Sequence, residues 1–239
     1  NAAAHIWWVG ASQAGEAEAR LAALRAEALA LDARWDSAVA GMTEWARGAV
    51  DGAVYTLSRS GSVESSLSAL ARERSPRDPL RVIVSESRPG GEGVGLARAL
   101  AAVGAQVTLA ADSACAALME GAALMIVGAD SVRADGSVVN KIGTHTLALV
   151  ARAAGKPVYA LAEWLKVTPP SYPLVIETME SSELLAEPVV GVTSNAIVFD
   201  VTPAALITSV VMESGPVDAS AIARMAQESE RAYQSLMHL

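Results

Sequence analysis

The chain has 239 residues, of which 52% are hydrophobic and 4% are aromatic, so its core must be built mainly from Ala, Val, Leu and Ile. Its formal net charge of -8 argues against direct nucleic-acid binding, because a phosphate backbone needs a wide basic patch. The single cysteine, Cys115, excludes an intrachain disulfide and a cysteine-based metal site, and the three histidines lack metal-ligand spacing.

No apolar run is as long as a membrane span, and the first residues lack the basic and apolar regions of a signal peptide. We therefore expect a soluble, cytoplasmic protein with no membrane contact, no bound metal and no organic cofactor. The sequence begins at Asn1 and not at a methionine, which leaves room for native residues upstream.

Residues 14–47 are predicted to form a helix, because they are rich in Ala, Leu, Glu and Arg and their apolar residues recur near helical spacing. Residues 53–57 (AVYTL) predict a short strand or turn, and the segment VESSLSALARER predicts a second helix. Residues 75–79 carry two prolines among charged residues and indicate a domain boundary. We expect a helical N-terminal domain in residues 1–77, whose true start could lie upstream, and a second domain in residues 78–239.

From residue 80 onward, continuous apolar strands alternate with predicted helices. The strands lie in LRVIVSE, AQVTLAA, AALMIVGAD and KPVYALAE. This alternation is typical of a parallel sheet that is covered by helices on both faces, so the predicted fold class is α/β. The tail adds a strand, a helix start at Thr202 and Pro203, and a closing helix that Asp218 or Ser220 caps.

Polar or charged side chains follow each of the four strands, at the edge where ligands of parallel sheets bind. They are Glu86, Arg88, Asp112, Ser113, Asp130 and Glu163. Strand-ending loops are often polar merely because water solvates them. That explanation weakens when four consecutive strands share the pattern, so we predict a ligand pocket at this edge.

The glycine-rich loop GGEGVG (90–95) follows a strand and opens a predicted helix. Its spacing does not fit G-x-G-x-x-G in any frame, so it does not predict a dinucleotide site. We interpret the glycines as allowing a tight turn or a close approach of the backbone to a ligand.

The motif NKIGT (140–144) precedes another predicted helix. The free N–H groups and partial positive charge of a helix N-terminus, together with Lys141 and the Thr144 hydroxyl, suit a phosphate or a sugar oxygen. Nearby Asp130 suits a general acid or base that moves a proton beside a sugar carbonyl. The alternative is a plain turn in which Thr144 caps the helix, and spacing alone slightly favours that alternative.

Several stretches together resemble one superfamily of proteins. They are SESRPGGEGVGLARAL, VTLAADSA, MIVGADSV with DGSVVNKIGT, KPVYALAEWLK, and the closing FDVTPAALITSVVMESG. The superfamily holds the alpha, beta and delta subunits of eukaryotic translation initiation factor 2B and two aldose–ketose isomerases, for methylthioribose 1-phosphate and ribose 1,5-bisphosphate. The resemblance runs from about residue 54 to residue 222. It implies a helical N-terminal domain, a Rossmann-like C-terminal domain, and a homodimer or higher homo-oligomer.

In the isomerases of this superfamily, a cysteine and an aspartate act together on the open-chain sugar. The resemblance places the aspartate at Asp130 and the cysteine position at Ser58. The candidate substrate-binding residues are Arg88, Asn140, Lys141, Gly143 and Thr144. A serine hydroxyl is far less acidic than a thiol and needs an adjacent base, so Ser58 either replaces the thiol or merely lines the pocket.

Two further matches are not assigned to the site. Cys115 lies in an Asp-Ser-Ala-Cys stretch and is interpreted as a small core residue. Arg47, Gly48 and Ala49 repeat the letters of a phosphate-binding stretch of the isomerases. They stand directly before the Ser58 loop, where that stretch should lie much further upstream, so we interpret this match as coincidence.

Three functions remain open from the sequence. The first is an aldose–ketose isomerase of a pentose phosphate, with Asp130 as the proton carrier. The second is a regulatory protein that binds a phosphorylated sugar or nucleotide, like the initiation-factor subunits, which also lack the cysteine. The third is a structural partner with a vestigial pocket. Because the standard isomerisation depends on the missing thiol, the sequence narrowly favours binding without that chemistry.

Overall fold

The computed structural model describes residues 17–237, so residues 14–16 of the first predicted helix lie outside the described part. Within it the chain forms six α-helices and ten strands. The helices are α1 (Ala17–Ala49), α2 (Gly61–Glu73), α3 (Glu92–Ala102), α4 (Cys115–Met119), α5 (Thr144–Ala153) and α6 (Ala219–Met237). The strands are β1 (Val54–Leu57), β2 (Arg81–Ser85), β3 (Gln106–Ala110), β4 (Leu124–Gly128), β5 (Ser131–Val132), β6 (Val138–Lys141), β7 (Val158–Leu161), β8 (Phe199–Thr202), β9 (Ser209–Met212) and β10 (Gly215–Val217).

Seven strands form one sheet in the order β10-β9-β7-β4-β1-β2-β3. All neighbours run parallel except β9 and β10, which pair antiparallel at one edge. Successive strand residues point to opposite faces and join two separate apolar cores. One core holds Met42 of α1 and Leu100 of α3, and the other holds Leu147 of α5 and Ile222 of α6. The predicted α/β fold, with helices on both faces of a mainly parallel sheet, is confirmed.

The first strand, β1, lies in the middle of this sheet, between β2 and β4. All four of its residues are buried, and Tyr55 is fully enclosed. The four-residue run was too short to distinguish a strand from a turn by its pattern, and its pairing on both sides decides the outcome. The expected division at residues 77 and 78 assigns β1 to the helical part, whereas the strand belongs to the sheet. The position of a domain boundary stays a prediction.

The second sheet has three antiparallel strands in the order β5-β6-β8. It contains part of the segment between Asp130 and the NKIGT motif: Val138 and Val139 are buried, and β6 pairs with β8 along four residues. The register places Asn140 opposite Asp200. The expected helix start at Pro203 is a single 3-10 turn, Ala204–Leu206, before β9.

A long connection, residues 168–197, leads from the end of β7 towards β8; we call it the 168–197 segment. It contains one 3-10 turn, Ser181–Glu183, and one bridge, between Thr178 and Ile197. Several of its large apolar side chains are exposed, among them Val175 and Val190. Across residues 17–237, no helix combines the length and the apolarity that a membrane crossing requires.

Candidate functional site

The parallel strands β2, β1, β4 and β7 end at one edge of the large sheet. Ser58 follows β1, and Asp130 stands two residues beyond the end of β4. Asn140 and Lys141 reach the same region from β6, because the Asp130 N–H donates to the carbonyl of Val139 over 2.8 Å. The edge therefore brings the predicted acid or base close to the predicted binding motif.

Asp130 lies at the wall of an open cavity of about 730 Å³ that Pro173, Phe199 and Tyr233 also line. Asp130 is exposed to solvent, although the neighbouring protein groups remove part of the hydration of its carboxyl. The resulting loss of hydration raises the pKa of Asp130 above its usual range, and the negative charge of Glu177 adds to the rise. The positive charges of Lys166 and Lys141 act in the opposite direction. A carboxyl with a raised pKa exchanges protons nearer to neutral pH, which is what a general acid or base requires.

Lys141 is nearly enclosed, with 4% of its side chain exposed, and it already has an anionic partner. Its Nζ donates to Oε1 of Glu92 over 2.8 Å. Glu92 is the first residue of α3 and belongs to the glycine-rich loop, which the sequence did not connect with the NKIGT motif. The two residues are 49 positions apart, so no local pattern could have paired them.

The N-terminus of α5, where the sequence predicted a phosphate, is occupied by a carboxylate of the protein itself. Oδ2 of Asp200 accepts hydrogen bonds from the N–H groups of Gly143 and His145 over 2.9 and 3.1 Å. Burial raises the pKa of Asp200, while these two backbone bonds and the His145 charge oppose the rise. Asp200 was not among the sequence candidates, although its place in β8 opposite Asn140 makes it the acceptor for this helix.

The alternative in which Thr144 caps α5 is wrong in its detail. The cap position belongs to Gly143, whose φ of 99° is one that glycine adopts without strain. Thr144 is fully buried, and its hydroxyl donates to the carbonyl of Lys141 over 2.6 Å. The same hydroxyl accepts from Nδ2 of Asn140 over 3.0 Å. Asn140 and Thr144 therefore stabilise the turn, and the bond from Thr144 fixes the position of the Lys141 carbonyl.

Ser58 has a backbone φ of 59°, a left-handed conformation that costs a residue other than glycine about 1–3 kcal/mol. Its N–H donates to Oγ of Ser87 over 2.6 Å, and Ser87 is itself left-handed, with a φ of 69°. No hydrogen bond within residues 17–237 brings a base to the Ser58 hydroxyl. The loop is therefore held in a fixed shape, but its hydroxyl lacks the partner that would activate it.

Arg88 is exposed and points to the 168–197 segment. Its Nη2 donates to the carbonyl of Glu183 over 2.6 Å, and its backbone N–H donates to the carboxylate of Asp112. Nothing in the described part of the chain hydrogen bonds Arg88 to Asp130 or Lys141. The structure thus places Arg88 at the same edge of the sheet but does not join it to the other candidates.

Glu163, which follows β7, is buried and is not part of a solvated rim. The Ser62 hydroxyl donates a hydrogen bond to its Oε1, and Nζ of Lys166 lies 3.4 Å from its Oε2. Lys166 is the strongest of the positive charges that act on Asp130. A parallel bridge between Val132 and Val167 places these two chain segments side by side. The sequence did not single out Lys166, because its role depends on that contact.

The remaining assignments have structural explanations. Cys115 is buried in the core at the start of α4, which confirms its interpretation as a core residue. The Arg47 guanidinium is bound to Glu44 and Glu73, so it is already engaged. Among the residues that the structure describes, no group of three or more His, Cys, Asp or Glu is arranged to hold a metal ion.

Comparison with known proteins finds one matching family model and several similar proteins. Residues 14–219 match the model of the "Initiation factor 2 subunit family". Ribose 1,5-bisphosphate isomerase from Haloferax volcanii is 35% identical over 156 residues, which are 62% of this chain and 48% of that protein. Methylthioribose-1-phosphate isomerase from Methylococcus capsulatus is 39% identical over 151 residues, 57% of this chain and 42% of that protein.

A solved structure of similar fold also comes from an initiation factor. The translation initiation factor eIF-2B from Pyrococcus horikoshii OT3 superposes with a TM-score of 0.71 at 28% identity, covering 82% of this chain and 69% of that one. The chain spans about half the length of the curated relatives that it matches.

Proposed function

Because this chain belongs to the initiation factor 2 subunit family, we propose that it binds a phosphorylated pentose and interconverts its aldose and ketose forms, with Asp130 as the proton carrier. The missing thiol had favoured binding without chemistry. The similarity to a ribose 1,5-bisphosphate isomerase and to a methylthioribose-1-phosphate isomerase supports the isomerase over the regulatory role. The observation that carries the proposal is the environment of Asp130, a carboxyl with a raised pKa that faces two lysine charges at the ligand edge of the sheet.

The chemistry of the reaction matches these groups. In a ribofuranose 1-phosphate O1 carries the phosphate, so the ring opens by breaking the C1–O4 bond. A proton leaves C2, an enol phosphate with a C1=C2 bond forms, and a proton is delivered to C1 as C2 becomes the ketone, while the proton of O2 passes to O4. Asp130 accepts the first proton as a carboxylate and returns it as a carboxylic acid. The developing oxyanion is stabilised by a nearby fixed positive charge, which Lys166 or Lys141 supplies. The proton inventory is balanced without any cofactor.

Ser58 has a minor part in this proposal. Its hydroxyl stands where the isomerases of the family carry a thiol, and no base is hydrogen bonded to it within the described residues. We therefore assign Ser58 no proton-transfer step, and it does not line the cavity beside Asp130.

The test is turnover. Purified protein is incubated separately with ribose 1,5-bisphosphate and methylthioribose 1-phosphate, and ketose formation is followed. We expect Asp130→Asn to lower kcat at least about 100-fold on the active substrate, the usual contribution of a general acid or base. Asp218→Asn is the matched control, because Asp218 lies in an exposed cap of α6 and should leave kcat unchanged. Turnover that survives Asp130→Asn would remove Asp130 from its assigned role.

A second function, regulatory binding without conversion, is favoured by the serine at position 58 and by the Glu92 carboxylate on Lys141. It predicts that a sugar phosphate or a nucleotide raises the melting temperature while no ketose forms. We further expect a homodimer or higher homo-oligomer in the cytoplasm for either function.

A further inference from the structure

One ion pair joins two sequence motifs that had no evident connection. Glu92 in the glycine-rich loop and Lys141 in the NKIGT motif meet over 2.8 Å. The Lys141 side chain is 4% exposed and that of Glu92 is 39% exposed. The second carboxylate oxygen of Glu92, Oε2, is buried and has no hydrogen-bond partner within residues 17–237. The pair thus leaves one acceptor unused beside a cation that is almost closed off from water.

The chain around Glu92 is shaped to hold a carboxylate. Glu92 is the first residue of α3, where the free N–H groups and the partial positive charge of the helix stabilise an anion. Gly90 has a φ of 95°, and a Cβ at that position would lie 2.6 Å from Oε1 of Glu92. A side chain at position 90 would crowd the carboxylate, so Gly90 leaves room for Glu92 beside Lys141.

This arrangement changes what Lys141 offers to a ligand. A buried ammonium group requires a counter-anion, since desolvation without one is costly. Here the protein supplies that anion itself. A phosphate or carboxylate that approaches Nζ meets a charge that is already balanced, and it has to displace Glu92 or share the lysine with it. A neutral hydroxyl or carbonyl oxygen does not meet this repulsion, because it can accept a hydrogen bond while the ion pair stays in place.

Building on the proposed function, we propose that Glu92 is a specificity-determining residue that occupies the anion position on Lys141. It disfavours ligands that present a phosphate to Lys141 and favours those that present a sugar hydroxyl or carbonyl oxygen there. The phosphate of the substrate is then bound by other groups of the site. Glu92 thereby orients the ligand as well as selecting it.

The test measures binding of inorganic phosphate, a probe that carries the anion and no sugar. Glu92→Gln keeps the shape of the side chain and removes its charge. We expect Glu92→Gln to bind phosphate at least about fivefold more tightly than the wild type by titration calorimetry, because a charge-assisted bond no longer competes. Glu64→Gln is the matched control, since Glu64 also lies in the first turn of a helix and pairs with Arg59, and it should bind as the wild type does.

The gain must depend on Lys141. Adding Lys141→Met to Glu92→Gln should abolish the fivefold gain. Glu92→Ala should tighten binding in the same direction as Glu92→Gln, so a folding defect in one variant does not decide the outcome. Unchanged or weaker phosphate binding in both Glu92 variants, or a gain that persists without Lys141, would overturn the proposal.

The two proposals fail in different ways. Tighter phosphate binding by Glu92→Gln, in a protein that converts neither sugar phosphate, supports the role of Glu92 and rejects the isomerase. Conversion of a sugar phosphate, together with unchanged phosphate binding by Glu92→Gln, supports the isomerase and rejects the role of Glu92.

Discussion

Replacing Asp200 should show whether its carboxylate affects stability mainly through the hydrogen bonds that it accepts or through its partly buried charge. Its carboxylate accepts hydrogen bonds from the N–H groups of Gly143 and His145. These two groups lie at the N-terminus of α5, where backbone N–H groups have no acceptor within the helix. Asp200→Ala leaves those donors without their acceptor. Loss of a helix N-terminal acceptor costs about 0.5–2 kcal/mol, and the position is partly buried, so we expect a loss of about 1–2 kcal/mol.

Asp200→Asn should behave differently. The amide oxygen in the place of Oδ2 still accepts from both N–H groups, while the charge and the longer bond from His145 to Oδ1 are lost. Since burial raises the pKa of Asp200, the ionised form is less favourable in the folded protein than in water. Removing the charge therefore offsets part of the lost bond. We expect Asp200→Asn to lie within about 0.5 kcal/mol of the wild type at neutral pH.

The sign of the pH dependence follows from the same shift. A carboxyl whose folded pKa is raised binds more protons in the folded than in the unfolded state, so its contribution to stability is greatest at low pH. That contribution is lost as the pH rises from near 3.8, the ordinary pKa, through the raised folded pKa. Asp200→Asn cannot titrate, so its melting temperature should fall less than that of the wild type over this window.

Thermal unfolding followed by circular dichroism measures the wild type and both Asp200 variants. For a domain of this size, about 1 kcal/mol corresponds to about 2–4 °C in Tm, so Asp200→Ala should melt about 2–8 °C lower than the wild type. Equal losses for the Ala and Asn variants would show that the amide oxygen does not replace the carboxylate as an acceptor. A steeper pH dependence in Asp200→Asn than in the wild type would refute the burial argument.

Two further predictions concern positions at the same edge of the sheet. Gly128→Ala should lower the unfolding free energy by about 1–3 kcal/mol, because the new Cβ would lie 2.5 Å from Oγ of Ser60. Gly48→Ala, in an open part of α1, is the control and should raise Tm or leave it unchanged. Equal changes in Tm for the two variants would contradict the packing argument. Ser58→Cys restores the group that the isomerases carry, and its kcat for ketose formation should exceed that of the wild type, whereas Ser58→Ala should stay near wild type. A large loss in Ser58→Ala would mean that the hydroxyl takes part in the reaction.

The strands of the large sheet that lie between residues 80 and 163 could be predicted because each is a continuous apolar run with a helical pattern after it. β1 could not be assigned in the same way, since a four-residue run carries too little periodicity and its identity depends on β2 and β4. The three-stranded sheet was missed for a related reason. β5 has only two residues, and β6 is completed by β8 from another part of the chain.

The site shows the same limit of local patterns. The resemblance identified Asp130, Asn140 and Lys141, because each belongs to a contiguous motif. The carboxylates that contact the NKIGT motif come from elsewhere: Glu92 is 49 positions from Lys141, and Asp200 is 57 positions from Gly143. Such pairs form only when the sheet brings the loops together, so the sequence predicted the candidate groups but not their electrostatic state.

That electrostatic state links the proton carrier to the ion pairs around it. Lys141 faces Glu92 and Lys166 faces Glu163, so each lysine that acts on Asp130 is partly balanced by another carboxylate. The positive charges of the two lysines lower the pKa of Asp130, but by less than its loss of hydration raises it, so the pKa stays raised. A ligand that displaced Glu92 from Lys141 would place its own anion there and leave this balance nearly unchanged. A ligand that presented a neutral oxygen to Lys141 would leave Glu92 in place and keep Asp130 ready to accept or return a proton.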